Sequence, residues 1–218
     1  MKRFLGMILL CSLTGTTGYA QRAYIENNGG HNYYIVDVQG MPNGTYKTSA
    51  EVATQTLDSY GRVFRHNLVN GGHGTNPNVD AKLSPKFAVS PDNIMPTGAV
   101  GIPGSAVNWM EGAGWDTDAN GNLNASTTPA NTGCPMYAGP SGSETGLWRL
   151  PTHRELQFLW IIKVRLESLS GFTAFDSHAY WSATEYDANG AYNIYFGDGQ
   201  RYSSGKTYAY RVRCVRDL

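Results

Sequence analysis

Trp148-Arg149-Leu150-Pro151-Thr152-His153-Arg154-Glu155-Leu156 specifies a helix start more firmly than any other stretch of this chain. Thr152 and Glu155 have the spacing of a capping box, in which the Thr side chain accepts from one free backbone amide and the Glu side chain from another. Pro151 disfavours helical geometry at Leu150 and keeps the approach extended. Leu156, Leu159, Trp160, Ile162, Leu166 and Leu169 then recur with a period of about 3.6 residues, Ile161 and Val164 widen the apolar face, and Lys163, Arg165 and Glu167 are left for solvent. Gly171 supplies a stop. One helix over Thr152–Ser170, with sheet following it, is the expectation.

Ahead of that helix, residues 1–20 have the form of an export signal. Lys2 and Arg3 are basic, Phe4 to Leu13 are apolar, and Gly18-Tyr19-Ala20 is a small-x-small cleavage pattern before Gln21. The apolar run is too short for a finished membrane span. Lipid attachment at Cys11 is the alternative, but Leu9-Leu10 before it lack the small residue such a site uses. An exported chain then keeps two cysteines, Cys134 and Cys214, which most simply read as one disulfide closing a long loop, with two buried free thiols as the other reading. The whole chain has 17 Lys and Arg against 17 Asp and Glu, so it has no electrostatic footprint for nucleic acid.

Residues 21–104 are rich in Gly, Asn and Pro with short apolar bursts at Tyr33–Val38, Arg62–Phe64 and Lys86–Val89, which predicts short strands and loops. Asn28-Gly29-Gly30-His31 returns as Asn70-Gly71-Gly72-His73, ordinary turn chemistry rather than a repeat architecture. A zinc site from His31, His66 and His73 has no supporting ligand spacing. Ala106 to Trp115 suits a short helix closing at Gly112 and Gly114, packed beside the Thr152 helix. Asp116, Asp118 and Asn120, with Gly121, match the opening of a calcium loop, but Thr127 stands where a bidentate Glu is required; a calcium loop completed from elsewhere and a plain turn are the two readings. No other cofactor is expected.

Beyond the helix, Ser177–Thr184 reads as a strand. Ala191–Phe196 alternates, with Tyr192, Ile194 and Phe196 on one face and Asn193 and Tyr195 on the other. Gly197-Asp198-Gly199 is a turn, and a last strand is expected over Thr207–Arg216.

Trp148-Arg149-Leu150-Pro151-Thr152, Glu155-Leu156, Tyr180-Trp181-Ser182-Ala183-Thr184-Glu185, Gly199, Lys206 and Val212-Arg213-Cys214-Val215-Arg216 together resemble the C-terminal domain of the collagen-like surface adhesin of Legionella. With Val107-Asn108-Trp109, Gly133-Cys134 and Arg216-Asp217-Leu218, the chain looks like the form common in exported and fimbria-associated proteins of Bacteroidetes. The resemblance spans roughly residues 105–218. It implies an α+β, C-type-lectin-like domain, with two helices beside a small antiparallel sheet and long loops, following the β- and loop-rich residues 21–104. It also implies kinship with the formylglycine-generating enzyme, and extracellular binding rather than a known reaction.

Three functions follow as expectations. The first is a noncatalytic surface module in cell adhesion, with an extracellular glycan or protein ligand and candidate contacts at Tyr186, Asn193, Tyr195, Asp198, Gln200, Arg201 and Tyr202, a mixture of rigid aromatic area and adaptable hydrogen bonding. The second is a subunit of a fimbria-like fibre that joins its oligomeric partners by strand addition, with Tyr33-Tyr34-Ile35-Val36 as the exposed apolar strand. The third is an enzyme of the formylglycine-generating type. That chemistry uses active-site cysteines, which a disulfide would consume, and no hydrolase or metalloprotease motif is present. Arg149, Glu155, Glu185 and Arg213 could imitate a catalytic cluster but read better as a cap and internal ion pairs.

Overall fold

A computed structural model describes residues 22–42, 44–48, 82–101, 105–114, 132–187 and 189–218. Among these residues the fold is α+β, with two small antiparallel sheets and four short helices, where a single sheet and two helices were expected. The export signal at residues 1–20, the Arg62–Phe64 burst, His66, His73 and the second Asn-Gly-Gly-His lie outside the described residues, as do Trp115 and the Asp116, Asp118, Asn120 loop.

Strand β1 (Arg22–Asn28) turns into β2 (His31–Asp37) through Gly29 and Gly30, both at positive φ (61° and 85°). A two-residue hairpin loop with two positive φ angles matches the right-handed twist of its strands and selects glycine. Strand β2 pairs in turn with β3 (Lys86–Val89), and β3 with the short β7 (Val215–Asp217). The sheet order is therefore β1-β2-β3-β7, and hydrogen bonding crosses the expected boundary near residue 105. Tyr33, Tyr34, Ile35 and Val36 are all buried in the interior strand β2. They do not form the exposed strand expected of a fibre subunit, because β1 and β3 already occupy both edges of β2.

The second sheet holds β4 (Ala179–Glu185), β5 (Gly190–Tyr195) and β6 (Arg201–Gly205) in that order. Strand β6 carries no apolar alternation for sequence reading to find, since it is an edge strand whose first residues are exposed. Gly199 closes the β5–β6 turn at φ 79°, and a Cβ there would stand 2.6 Å from the Trp160 indole. The expected strand over Thr207–Arg216 is not continuous. Tyr210 bridges Val107 and Arg211 bridges Tyr180 beside the three-stranded sheet, after which the chain crosses to the other sheet as β7. No single neighbour runs alongside it long enough to extend one ladder.

Helix α1 (Trp109–Ala113) starts on a capping box of Asn108 and Glu111 and ends at Gly114. It packs on α2 (Gly133–Met136) and β4, not beside the Thr152 helix as expected. Trp109 and Met110 belong to a core with Trp148, Leu150, Trp181 and the bonded pair Cys134–Cys214, while Leu156 and Leu159 belong to a second core with Val36, Phe87, Tyr180 and Phe196. The disulfide, with Cα atoms 5.4 Å apart, ties α2 to the segment leading into β7. Thr152 and Glu155 form the expected capping box at the start of α3 (His153–Ile161). The single expected helix breaks at Ile162 (φ −99°, ψ 8°) before α4 (Lys163–Glu167). The break lets Ile162 and Leu166 join Leu156, Phe158 and Leu159 in the core, and leaves Ile161 and Val164 58% and 73% exposed. Trp160, expected in the core, is half-buried and donates from Nε1 to the Phe196 carbonyl at 3.2 Å. No helix among the described residues is long and apolar enough to cross a membrane.

Candidate binding site

Side chains on a strand alternate between faces, and register decides which meet across a sheet. Trp181, Asn193 and Tyr202 are directly opposed across β4, β5 and β6, and Ala179 opposes Tyr195, so these side chains share one face. Tyr210 returns across that face, its ring 4.6 Å from that of Trp181. The result is a groove of about 560 Å³ whose walls include Asn193, Tyr195, Tyr202, Ser204, Tyr210 and, at the turn, Asp198.

The polar groups of the groove are held in place. Asn193 was expected among exposed residues, yet it is 1% exposed, and its amide donates to the Ser204 hydroxyl at 2.9 Å. Tyr210 Oη donates to the same hydroxyl at 3.1 Å, and Tyr208 stacks parallel to Tyr210. Asp198 accepts from the Gln200 amide at 2.8 Å, and Tyr202 Oη donates to Gln200 Oε1 at 3.1 Å. Arg211 Nε donates to Asp176 at 3.0 Å. Such a surface can stack flat apolar faces on phenol rings and exchange hydrogen bonds with hydroxyl and amide groups.

Two of the seven candidates stand elsewhere. Arg201 opposes Ile194, and its guanidinium lies 4.6 Å above the Tyr192 ring on the reverse face. Tyr186 meets Tyr192 edge-on there, with His153 on the other side at 5.6 Å. Gln200 braces Tyr202 from the turn. The structure thus brings together Asn193, Tyr195, Asp198 and Tyr202, and separates Tyr186 and Arg201 from them. Ser204 and Tyr210 were missing from the seven. Register through the turn would have placed Ser204 on the Asn193 face, but the return of Tyr210 has no periodic signal.

Burial, with Arg201 and Arg154 nearby, pushes the His153 imidazole down to about 4. An unfolded imidazole titrates near 6.5, so between those values the unfolded chain binds the extra proton and stability rises with pH. With the ring only partly buried, about 1 kcal/mol should be lost on acidification from about pH 7 to about pH 4 on this account. His153→Gln should remove that component, read as a flatter dependence of denaturation midpoint on pH over the same window. Equal slopes in both proteins would show that His153 does not contribute.

The Arg149, Glu155, Glu185 and Arg213 side chains are each engaged in internal ion pairs or hydrogen bonds. Glu155 caps α3 and pairs with Arg149 at 2.7 Å, and Arg149 also pairs with Asp217 at 2.8 Å. Lys206 pairs with Glu185 beneath the Trp109 ring. Arg213 donates to the carbonyls of Ser90 and Thr173 and to Asn93, its guanidinium against the rings of Phe172 and Phe175. Among the described residues no three His, Cys, Asp or Glu side chains gather as a metal site.

Comparison with curated proteins finds no match. The profile of the Lcl C-terminal domain, in contrast, matches residues 106–216, a span that takes in the capped helix, the disulfide, the three-stranded sheet and the groove. Covering half of the chain, that match makes the protein a member of the Lcl C-terminal domain family.

Proposed function

We propose that the protein is an exported, noncatalytic binding module that acts at the cell surface in adhesion or ligand recognition through the groove on the three-stranded sheet. The observation that carries this reading is the convergence of Tyr195, Tyr202 and Tyr210 around Asn193 and Ser204, on a hairpin fixed by the sheet. Family membership supports a surface or binding role, since the domain takes its name from a collagen-like adhesin. The disulfide suits an oxidising, exported setting. Engagement of both described cysteines in one bond favours binding over thiol chemistry.

The finer assignments rest on the same ground. A C-type-lectin-like arrangement is supported by the meeting of early and late strands in one sheet and by the bridge from α2 to the segment before β7. The form found in exported and fimbria-associated proteins of Bacteroidetes rests on the resemblance carried by Val107-Asn108-Trp109, Gly133-Cys134 and Arg216-Asp217-Leu218.

Replacing Tyr195 and Tyr202 together by Ala should lower adhesion of protein-coated beads to surfaces bearing glycans or matrix proteins by about tenfold or more, since a few aromatic anchors dominate such contacts. Both rings are partly exposed, so circular dichroism and thermal midpoint should change little. Tyr186→Ala with Arg201→Ala, on the reverse face, should leave adhesion in place. The opposite pattern would move the site to the reverse face, and full adhesion by both variants would remove the hairpin from function.

A further inference from the structure

The chemistry of the groove narrows the class of ligand. Its volume of about 560 Å³ lies within the roughly 300–1,000 Å³ usual for small-ligand sites, and it opens on the face of the sheet. A polypeptide added as a strand would instead lie in the plane of the sheet along the edge of β6, away from the tyrosine rings. Tyr195, Tyr202 and Tyr210 offer ring surface, and Ser204 and the phenols offer hydroxyls that both donate and accept. Groups of that kind are matched by ligand hydroxyls, which also do both, on a body whose C–H faces can lie against phenol rings.

Charge decides the rest. Arg211 is the permanent cation of the lining, and it is committed to Asp176 at 3.0 Å with its side chain 11% exposed. Asp198 sets a carboxylate at the rim, which repels anions. Arg201, the nearest cation in sequence, lies over Tyr192 on the reverse face. A sulfate or carboxylate entering the groove would lose water beside one guanidinium already offset by Asp176 and beside the Asp198 carboxylate, a net cost.

Resting on the reading of the groove as the binding surface, we infer that its ligand is an uncharged saccharide, a short run of sugar rings that stack on Tyr195 and Tyr202 and bond to the Ser204 hydroxyl and the phenols.

The test is calorimetry and saturation-transfer NMR on the whole protein with its disulfide intact. The probes are neutral gluco-, galacto- and manno-oligosaccharides, heparin-derived oligosaccharides as the anionic arm, and a set of extended peptides. At least one neutral oligosaccharide should bind with an affinity that is the same at low and high salt. Tyr202→Ala should weaken it about tenfold, Tyr202→Phe should largely restore it because the ring face is kept, and Tyr186→Ala should have no effect. Binding confined to the heparin fragments with affinity falling steeply with salt, binding confined to peptides, or no saccharide binding at all would each overturn the inference. Loss of bead adhesion in the Tyr195, Tyr202 variant without any saccharide binding would remove the ligand class and leave the binding module. Saccharide binding lost in that variant while adhesion persists would keep the ligand class and remove the adhesive role.

Discussion

Residues 105–218 produced without the segment before them are expected not to fold, although they contain the whole span matched by the family. Strand β7 would lose its ladder, in which Val215, Arg216 and Asp217 oppose Val89, Ala88 and Phe87. Leu156, Leu159, Leu166 and Val215 would lose Tyr34, Val36, Phe87 and Val89 from their core, and burying side chains of this size contributes about 1.5–3 kcal/mol each. Polar losses add to this. The fully buried Arg213 would lose Asn93 and the Ser90 carbonyl, Cys214 its exchange with Ser90, and Glu144 its bond from Tyr33. Burial alone would raise the Glu144 carboxyl; bonds from Tyr33, Trp148 and Ser141, with Arg216 nearby, instead hold it below its ordinary value. A domain's whole stability is about 5–15 kcal/mol, less than this set of losses. Residues 22–218 should unfold in one cooperative thermal transition, and residues 105–218 should give no sharp transition and bind a hydrophobic dye. A cooperative transition and dispersed amide spectrum from residues 105–218 would show that the early strands are an addition to a self-sufficient domain.

The pairing of early with late strands was not legible in the sequence, and the reason is range. Signals carried by neighbouring residues were read correctly: the Thr152–Glu155 box, the Asn28–His31 turn, the alternation of Ala191–Phe196 and the Gly197–Gly199 turn each concern a few consecutive residues. Lys86–Val89 was legible as a strand, but its partner was not, because pairing with Val215 spans most of the chain. The continuous helix over Thr152–Ser170 was misread for a related cause. Ile161 and Val164 are good apolar residues by local criteria, and only the position of the second core decides that Ile162 turns in and they turn out. At the groove, alternation put Asn193 and Tyr195 on one face, while Tyr186 and Arg201 were grouped with them by composition alone. Register sent those two to the reverse side. Tyr210 joins the groove only because the chain returns across the sheet after β6, a tertiary event without a local signature.

Arg149→Ala is expected to destabilise the protein by about 3–5 kcal/mol, because it leaves two carboxylates buried without their cation. Arg149 is 2% exposed, and every N–H of its fork that can reach a partner does so. Nε and Nη2 donate to Asp217 at 3.0 and 2.8 Å, Nη1 and Nη2 to Glu155 at 2.7 and 3.0 Å, and Nη1 also to the Leu150 carbonyl at 3.0 Å. The Ser84 hydroxyl lies 2.9 Å from Glu155 and 2.5 Å from Asp217, so an early segment, the capped helix and the last strand meet at one point. Burial alone would weaken the charge on Arg149, but Asp217 and Glu155 outweigh it and hold the guanidinium protonated. Lys cannot make the two forked contacts, so Arg149→Lys should recover less than half of the loss. The pH dependence separates lost charge pairing from lost packing. Without Arg149 the buried carboxylates should titrate above their unfolded range near pH 4, so the folded variant takes up protons first and gains stability relative to the native protein as pH falls. The gap between the two denaturation midpoints should therefore be widest near neutral pH and narrow towards about pH 4. A gap that stays constant with pH would mean that Arg149 acts by filling space, and a gap under about 1 kcal/mol at neutral pH would mean that solvent reaches this cluster.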